Sequence, residues 1–141
     1  MSESPKISAL AIIRNEEDNI RAYLRNMAFA DEIIVVDSYS SDATLDIIRS
    51  EFPQVRIVQR PFDDFSRQRN FAINLATNEW VTFFDADERV TENGIRELLE
   101  LVASHPEEVA FWVKRAFYYA EKPMFYGCLL YTSDAADEGL G

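Results

Sequence analysis

Short apolar runs of strand length alternate with amphipathic stretches of helical period along almost the whole chain. Lys6 to Ile13 is small and branched apolar, short enough for a strand, and breaks into the polar patch Arg14 to Asp18. That patch predicts a helix start, with Asn15 as cap, acids in the first turn, and Ile20, Tyr23, Leu24 and Met27 on one buried face. The pattern repeats. Ile33 to Val36 predicts a second strand ending on Asp37. Ser41 or Asp42 then caps a helix with Leu45, Ile48 and Phe52 inward, closed by Pro53. Val55 to Val58 predicts a third strand, Pro61 to Phe65 a loop with two aromatic residues, and Ser66 to Ala76 a third helix with Phe71, Ala72, Leu75 and Ala76 inward. Trp80 to Phe84 predicts a fourth strand. Thr91 caps a fourth helix striped by Ile95, Leu98, Leu99 and Val102 and closed at His105 and Pro106, and Val109 to Tyr119 predicts a fifth strand in a mixed edge.

Strands apolar on both faces and separated by helices predict an α/β fold, a mostly parallel sheet with helices on both sides in three layers. Three polar clusters follow strands directly: Arg14, Asn15 and Glu16; Asp37 and Ser38; Asp85 and Asp87 with Glu88. A parallel sheet brings all three to its C-terminal edge, where open α/β sheets bind ligands. One acidic strand end is explained by helix capping; three with the same chemistry point to a common site. The acids at the end of the fourth strand have no partner cation nearby in sequence, and an extended backbone puts the carboxylates of Asp85 and Asp87 on one side. Hard oxygen ligands of that kind select Mg2+ or Mn2+. The competing reading is a polar turn before the Thr91 helix.

Asp37 can accept from an imide N–H of a base or cap the next helix. Arg67 and Arg69 sit in a first helical turn, where a cation opposes the macrodipole, so a diphosphate or the neighbouring Asp63 and Asp64 must compensate. Lone His105 reads as a helix C-terminal group. The aromatic residues Phe111, Trp112, Phe117, Tyr118, Tyr119, Phe125 and Tyr126 read mostly as strand packing, with a sugar-acceptor cleft or membrane contact as the alternative.

With 25 acids against 14 Lys plus Arg, the chain has a formal net charge of −11, which argues against a nucleic-acid partner. The 48% hydrophobic content can fill a core, and no run spans a bilayer or forms a secretory signal. Cytoplasm is the expected compartment. The tail from Cys128 to Gly141 resembles the conceptual translation of a sequencing adapter, so residues 1–127 are expected to be the genuine part and 128–141 a non-native addition. The tail holds the single Cys and three acids, Asp134, Asp137 and Glu138; the rest remains acidic and free of disulfides. On this expectation the chain is a fragment.

The order strand, Arg-Asn-Glu, strand, Asp-Ser-x-Ser-x-Asp-x-Thr, strand, Phe-Ser-x-Gln-Arg-Asn, strand, Asp-Ala-Asp-Glu resembles glycosyltransferase family 2, and more narrowly its lipopolysaccharide-core glucosyltransferase-like branch. The resemblance covers Ile7 to Val102. It implies a GT-A fold and inverting transfer of a sugar from a nucleotide-diphosphate donor, UDP-linked, to the hydroxyl of a saccharide or lipid-linked saccharide. It implies that Arg14, Asn15, Glu16, Asp37 and Ser38 border the nucleotide, that Arg67 is the basic residue near it, that Asp85 contacts ribose or metal, and that Asp87 is the principal metal ligand. The family's general base belongs beyond residue 127. The fragment is therefore expected to bind donor without turnover, with peripheral contact at the inner face of the inner membrane; Arg115 and Lys122 near the aromatic run are slender support for it.

Two other classes fit parts of the pattern. A nucleotidyltransferase shares the sheet, paired acids and magnesium but calls for a glycine-rich loop after the first strand, and the chain has only four glycines, none there. A receiver-like signalling module fits Asp37 and needs a late Lys, for which Lys114 is the nearest candidate.

Overall fold

The structure is a computed structural model that describes residues 6–78, 80–104, 110–119 and 122–132. Its elements run β1 (Ile7–Ile13), α1 (Ile20–Asn26), a 3-10 turn (Met27–Phe29), β2 (Glu32–Asp37), α2 (Thr44–Glu51), β3 (Arg56–Gln59), α3 (Phe65–Leu75), β4 (Trp80–Phe83), α4 (Glu92–Ser104), β5 (Ala110–Tyr119) and β6 (Lys122–Thr132). The six strands form one sheet in the order β3-β2-β1-β4-β6-β5. The first four are parallel; β6 runs antiparallel to β4 and to β5.

Alternation along β1 and β2 divides the core in two, because successive side chains of a strand point to opposite faces. Ile7, Ala9, Ala11, Ile13, Ile33 and Val35 pack with Ile20, Tyr23, Leu24, Ile47, Ile48, Leu98 and Val102, so α1, α2 and α4 cover one face. Leu10, Ile34, Val36 and Val81 pack with Ala72 and Ile73 of α3 on the other. Both faces of the central strands are therefore dry, which is why they read as continuous apolar runs. Each fully buried Ile or Leu contributes about 1.5–3 kcal/mol through lost water contact. Among the described residues no helix is long and apolar enough to cross a membrane.

The helices depart in detail from the sequence expectations: α3 buries Gln68, Ala72 and Ile73, with Phe71, Leu75 and Ala76 only partly covered. Arg14 to Asp18 is not the first turn of α1: the helix starts at Ile20, and Asn15 instead adopts a left-handed backbone with φ 53°. The inner face of α2 is Thr44, Ile47 and Ile48, with Leu45 and Phe52 only partly covered. In α4 the stripe narrows to Leu98 and Val102, and Leu99 is exposed. The Thr91 cap is present, its Oγ1 accepting from Gly94 N at 2.9 Å. His105 and Pro106 lie outside the described residues, as do the side chains of the aromatic run on β5 and β6.

Candidate functional site

Register decides where the three polar clusters meet. Ile13 pairs with Asp37 at the end of β1 and β2, while the last rung between β1 and β4 is Leu10 with Phe83. β4 runs parallel to β1, so the chain after Phe83 continues toward the C-terminal edge at which β1 and β2 end. The acidic segment beginning at Asp85 thus lies at the same edge as Asp37, with the end of β1 and its Arg14 to Glu16 loop between them.

The first two loops are laced together. Asn15 Oδ1 accepts from Ser41 N at 2.7 Å and Asp42 N at 3.3 Å, and Asn15 N donates to Ser40 Oγ at 2.7 Å. Glu16 N donates to Thr44 Oγ1 at 2.9 Å, and Glu17 Oε2 accepts from Ala43 N at 3.0 Å. Asp42 accepts from both Thr44 N and Thr44 Oγ1, so it serves the start of α2 from one position outside its N-cap, Ala43. Burial pushes the Asp42 pKa up, and the bonds from Thr44 outweigh it, leaving the carboxyl below its ordinary value. The loop that sequence assigned to a helix is held by long-range bonds instead.

Asp37 is fully buried. Its Oδ2 accepts from Ser40 N at 2.9 Å and Gln59 Nε2 at 3.3 Å, and its Oδ1 from Ser40 Oγ at 2.5 Å. It therefore does not cap α2; it closes a tight turn in which Tyr39 has φ 59° and is exposed. Ser38 is buried beside it, and Ser38 Oγ accepts from Gln68 Nε2 at 3.0 Å. Gln68, on α3, also donates to Arg60 O at 3.2 Å and accepts from the Arg60 guanidinium. Gln68 is part of the Phe-Ser-x-Gln-Arg-Asn motif, where the sequence alone assigns it no role. Its signal was there: position 68 shares the inward phase of Ala72, and a Gln in that phase must find partners inside.

Arg67 is exposed and paired with Asp63 at 3.6 Å and Asp64 at 3.4 Å, so neighbouring carboxylates compensate its place in the first turn. Arg69 lies with its guanidinium carbon 5.4 Å from the centre of the Phe83 ring. Arg60 grips Asp63 at 2.9 Å; that hydrogen bond, then the Asp64 backbone N–H, hold the Asp63 pKa well below the usual range.

The segment after β4 is a turn, not an extended strand: Glu88 N donates to Asp85 O at 2.9 Å and Asp85 N to Glu88 Oε1 at 2.6 Å. Burial alternates all the same. Phe84, Ala86 and Glu88 are inside, and Asp85 and Asp87 are exposed. Nor is the turn without a cation, since Arg89 follows immediately and donates to Ala86 O at 2.6 Å, Glu88 O at 2.7 Å and Asn19 O at 3.1 Å. Asn26 fixes the next residue, exchanging bonds with Val90 O at 2.9 Å and Val90 N at 2.7 Å. Below them Tyr23 is fully buried, and its hydroxyl has no hydrogen-bond partner among the described residues. An orphan of that kind costs about 1–3 kcal/mol.

Among the described residues no three carboxylate, imidazole or thiol groups gather into a metal-binding set. Asp85 and Asp87 offer hard, solvent-facing oxygens at the edge. Two carboxylates suit a divalent cation that completes its shell from phosphate and water.

Residues 8–127 match the family model described as Glycosyl transferase family 2. The chain belongs to glycosyltransferase family 2. Its relatives include the SPbeta prophage-derived glycosyltransferase SunS of Bacillus subtilis, 44% identical over 88 residues, which are 61% of this chain and 21% of SunS. The lipopolysaccharide core biosynthesis glycosyltransferase LpsC of Rhizobium meliloti is 33% identical over 116 residues, 79% of this chain and 43% of LpsC. Of solved structures, Staphylococcus aureus TarS 1–349 in complex with UDP-GlcNAc superposes with a TM-score of 0.57 at 25% identity, over 72% of this chain and 32% of TarS. The sheet is that of the GT-A glycosyltransferases, and matching structures of this fold include complexes containing Mn2+. The chain spans between a fifth and under half of the length of the curated relatives named.

Proposed function

We propose that this chain is the donor-binding part of an inverting glycosyltransferase that moves a sugar from a nucleotide diphosphate, UDP-linked, to an acceptor hydroxyl of a lipopolysaccharide-core or other cell-envelope glycan. The observation that carries the donor site is the register: parallel strands deliver the Arg14 to Glu16 loop, Asp37 with Ser38, and the Asp85 to Glu88 turn to one edge. The family membership and the UDP-GlcNAc complex of TarS support the donor class, and LpsC supports the glycan class.

In this assignment Arg14, Asn15 and Glu16 border the nucleotide, and Asp37 and Ser38 shape its base end, with Asp37 exchanging a Ser40 or Gln59 bond for an imide N–H. Arg67 turns from Asp63 and Asp64 toward the diphosphate. Asp85 and Asp87 hold Mg2+ or Mn2+, Asp85 also reaching the ribose, and the cation offsets the charge of the departing diphosphate. Unpaired with a cation, those acids would repel a diphosphate, so donor binding is metal-dependent. The general base is placed beyond residue 127, with donor binding but no transfer by this chain. Residues 128–141 are assigned to the adapter-like tail, a reading supported by the end of the family match at residue 127, while Cys128 to Thr132 continue β6 and Leu130 to Thr132 pair with β4. The setting is cytoplasmic, peripheral to the inner face of the inner membrane where a lipid-linked acceptor would be met.

Calorimetric titration separates the classes. Saturable binding of UDP-sugar that requires Mn2+ supports the transferase. Preference for a nucleoside triphosphate supports a nucleotidyltransferase, and acyl-phosphate labelling of Asp37 a receiver-like module.

A further inference from the structure

Three residues on one face of α1 lie along the segment that carries the acidic turn. The backbone carbonyl of Asn19, the N-cap, accepts from Arg89, the Asn26 side chain exchanges two bonds with Val90, and Tyr23 stands between them in the helical phase i, i+4, i+7. Tyr23 shares its core cluster with Phe84, Ala86 and Val90. Both asparagines are satisfied. The tyrosine between them is not: its hydroxyl is buried with no partner among the described residues, in the core cluster that also holds Phe84 and Ala86 on either side of Asp85. Burial, then the negative charge of Asp85 and of Glu88, raise the pKa of this hydroxyl, while Arg89 acts the other way.

Glu88 is engaged at the turn backbone through Oε1. Asp85 is the exposed acid between Phe84 and Ala86, both of which share the core cluster of Tyr23, and its carboxylate has two oxygens, one of which can face the edge while the other turns inward. We propose that Tyr23 is a positioning residue for the acidic turn: its hydroxyl donates to Asp85 when a divalent cation and a nucleoside diphosphate draw the turn into place. The inference rests on the donor-site reading above. Tyr23 touches neither sugar nor phosphate; it fixes the direction of the carboxylate that does.

Tyr23→Phe tests this, because packing and positioning predict opposite results. Without nucleotide or cation, the Phe variant melts at the same temperature as the parent chain or higher, since an unpartnered buried hydroxyl has been removed. Titrated with UDP in the presence of Mn2+, it binds roughly tenfold more weakly, the effect of one lost bond to a charged group. In a double-mutant cycle with Asp85→Asn the two losses fall well short of additive. Equal affinity for parent and Phe variant overturns the positioning role alone. A lower melting temperature without ligand also overturns it, because the hydroxyl is then bonded already. If the parent chain binds no UDP with Mn2+, the donor-site reading fails and this inference with it.

Discussion

Gln68 shows how a neutral side chain can organise a charged edge. Its amide joins Ser38, the Arg60 carbonyl and the Arg60 guanidinium, and through Arg60 N, which donates to Asp37 O at 3.0 Å, it steadies the turn at the end of β2. Gln68→Ala removes the partner of the buried Ser38 hydroxyl and of the Arg60 carbonyl, while the Arg60 guanidinium keeps Asp63, so urea denaturation is expected to show a loss of about 1–3 kcal/mol. Affinity for UDP falls with it. At this scale the sequence showed which acids stand at strand ends, but not their state. Asp37 reads as an open carboxylate and is fully enclosed, because Ser40 and Gln59 are polar residues whose reach depends on the tertiary turn. Arg67 reads as a cation seeking an anion, and the local Asp63 and Asp64 answer it.

Helix positions were legible from apolar spacing, and loop conformation was not. Ile20, Tyr23, Leu24 and Met27 are all buried, as the helical phase predicts. Arg14 to Asp18 has the composition of a capped first turn and does something else. Asn15 in a left-handed conformation aims its amide oxygen at the loop before α2, a contact 26 residues away in sequence. Ala at that position would keep the strained backbone and lose the bonds. Asn15→Ala is thus expected to lower stability by about 2–3 kcal/mol by thermal or chemical melting. The same lacing predicts acid sensitivity. Asp42 has a folded pKa depressed below its ordinary 3.8, so its contribution is complete above that value and is lost as pH falls through the lower, folded one. Melting temperature should drop on acidification below about pH 4. Asp42→Asn should flatten that drop while lowering stability at neutral pH; a slope unchanged by the substitution would show the carboxylate is not the group responsible.

Parallel strands at the centre of the sheet and helices on both faces followed from runs apolar on both sides, and the four-strand parallel core agrees. The antiparallel β6 was not foreseen, because its second half, Cys128 to Thr132, was set aside as a non-native tail, Pro123 and Gly127 interrupt the rest, and strand pairing at long range leaves no local mark. The proposal to be tested at this scale is the common edge, where the Asp85 to Glu88 turn, the Asp37 turn and the Asn15 loop would face one ligand through one cation. Nuclear magnetic resonance with paramagnetic Mn2+ tests that most directly. With UDP present, backbone signals of Asn15, Ser38 and the Asp85 to Glu88 turn should broaden together at substoichiometric Mn2+, and Asp87→Asn should abolish the broadening at all three. Broadening confined to the acidic turn, with the other two loops untouched, would contradict a shared site.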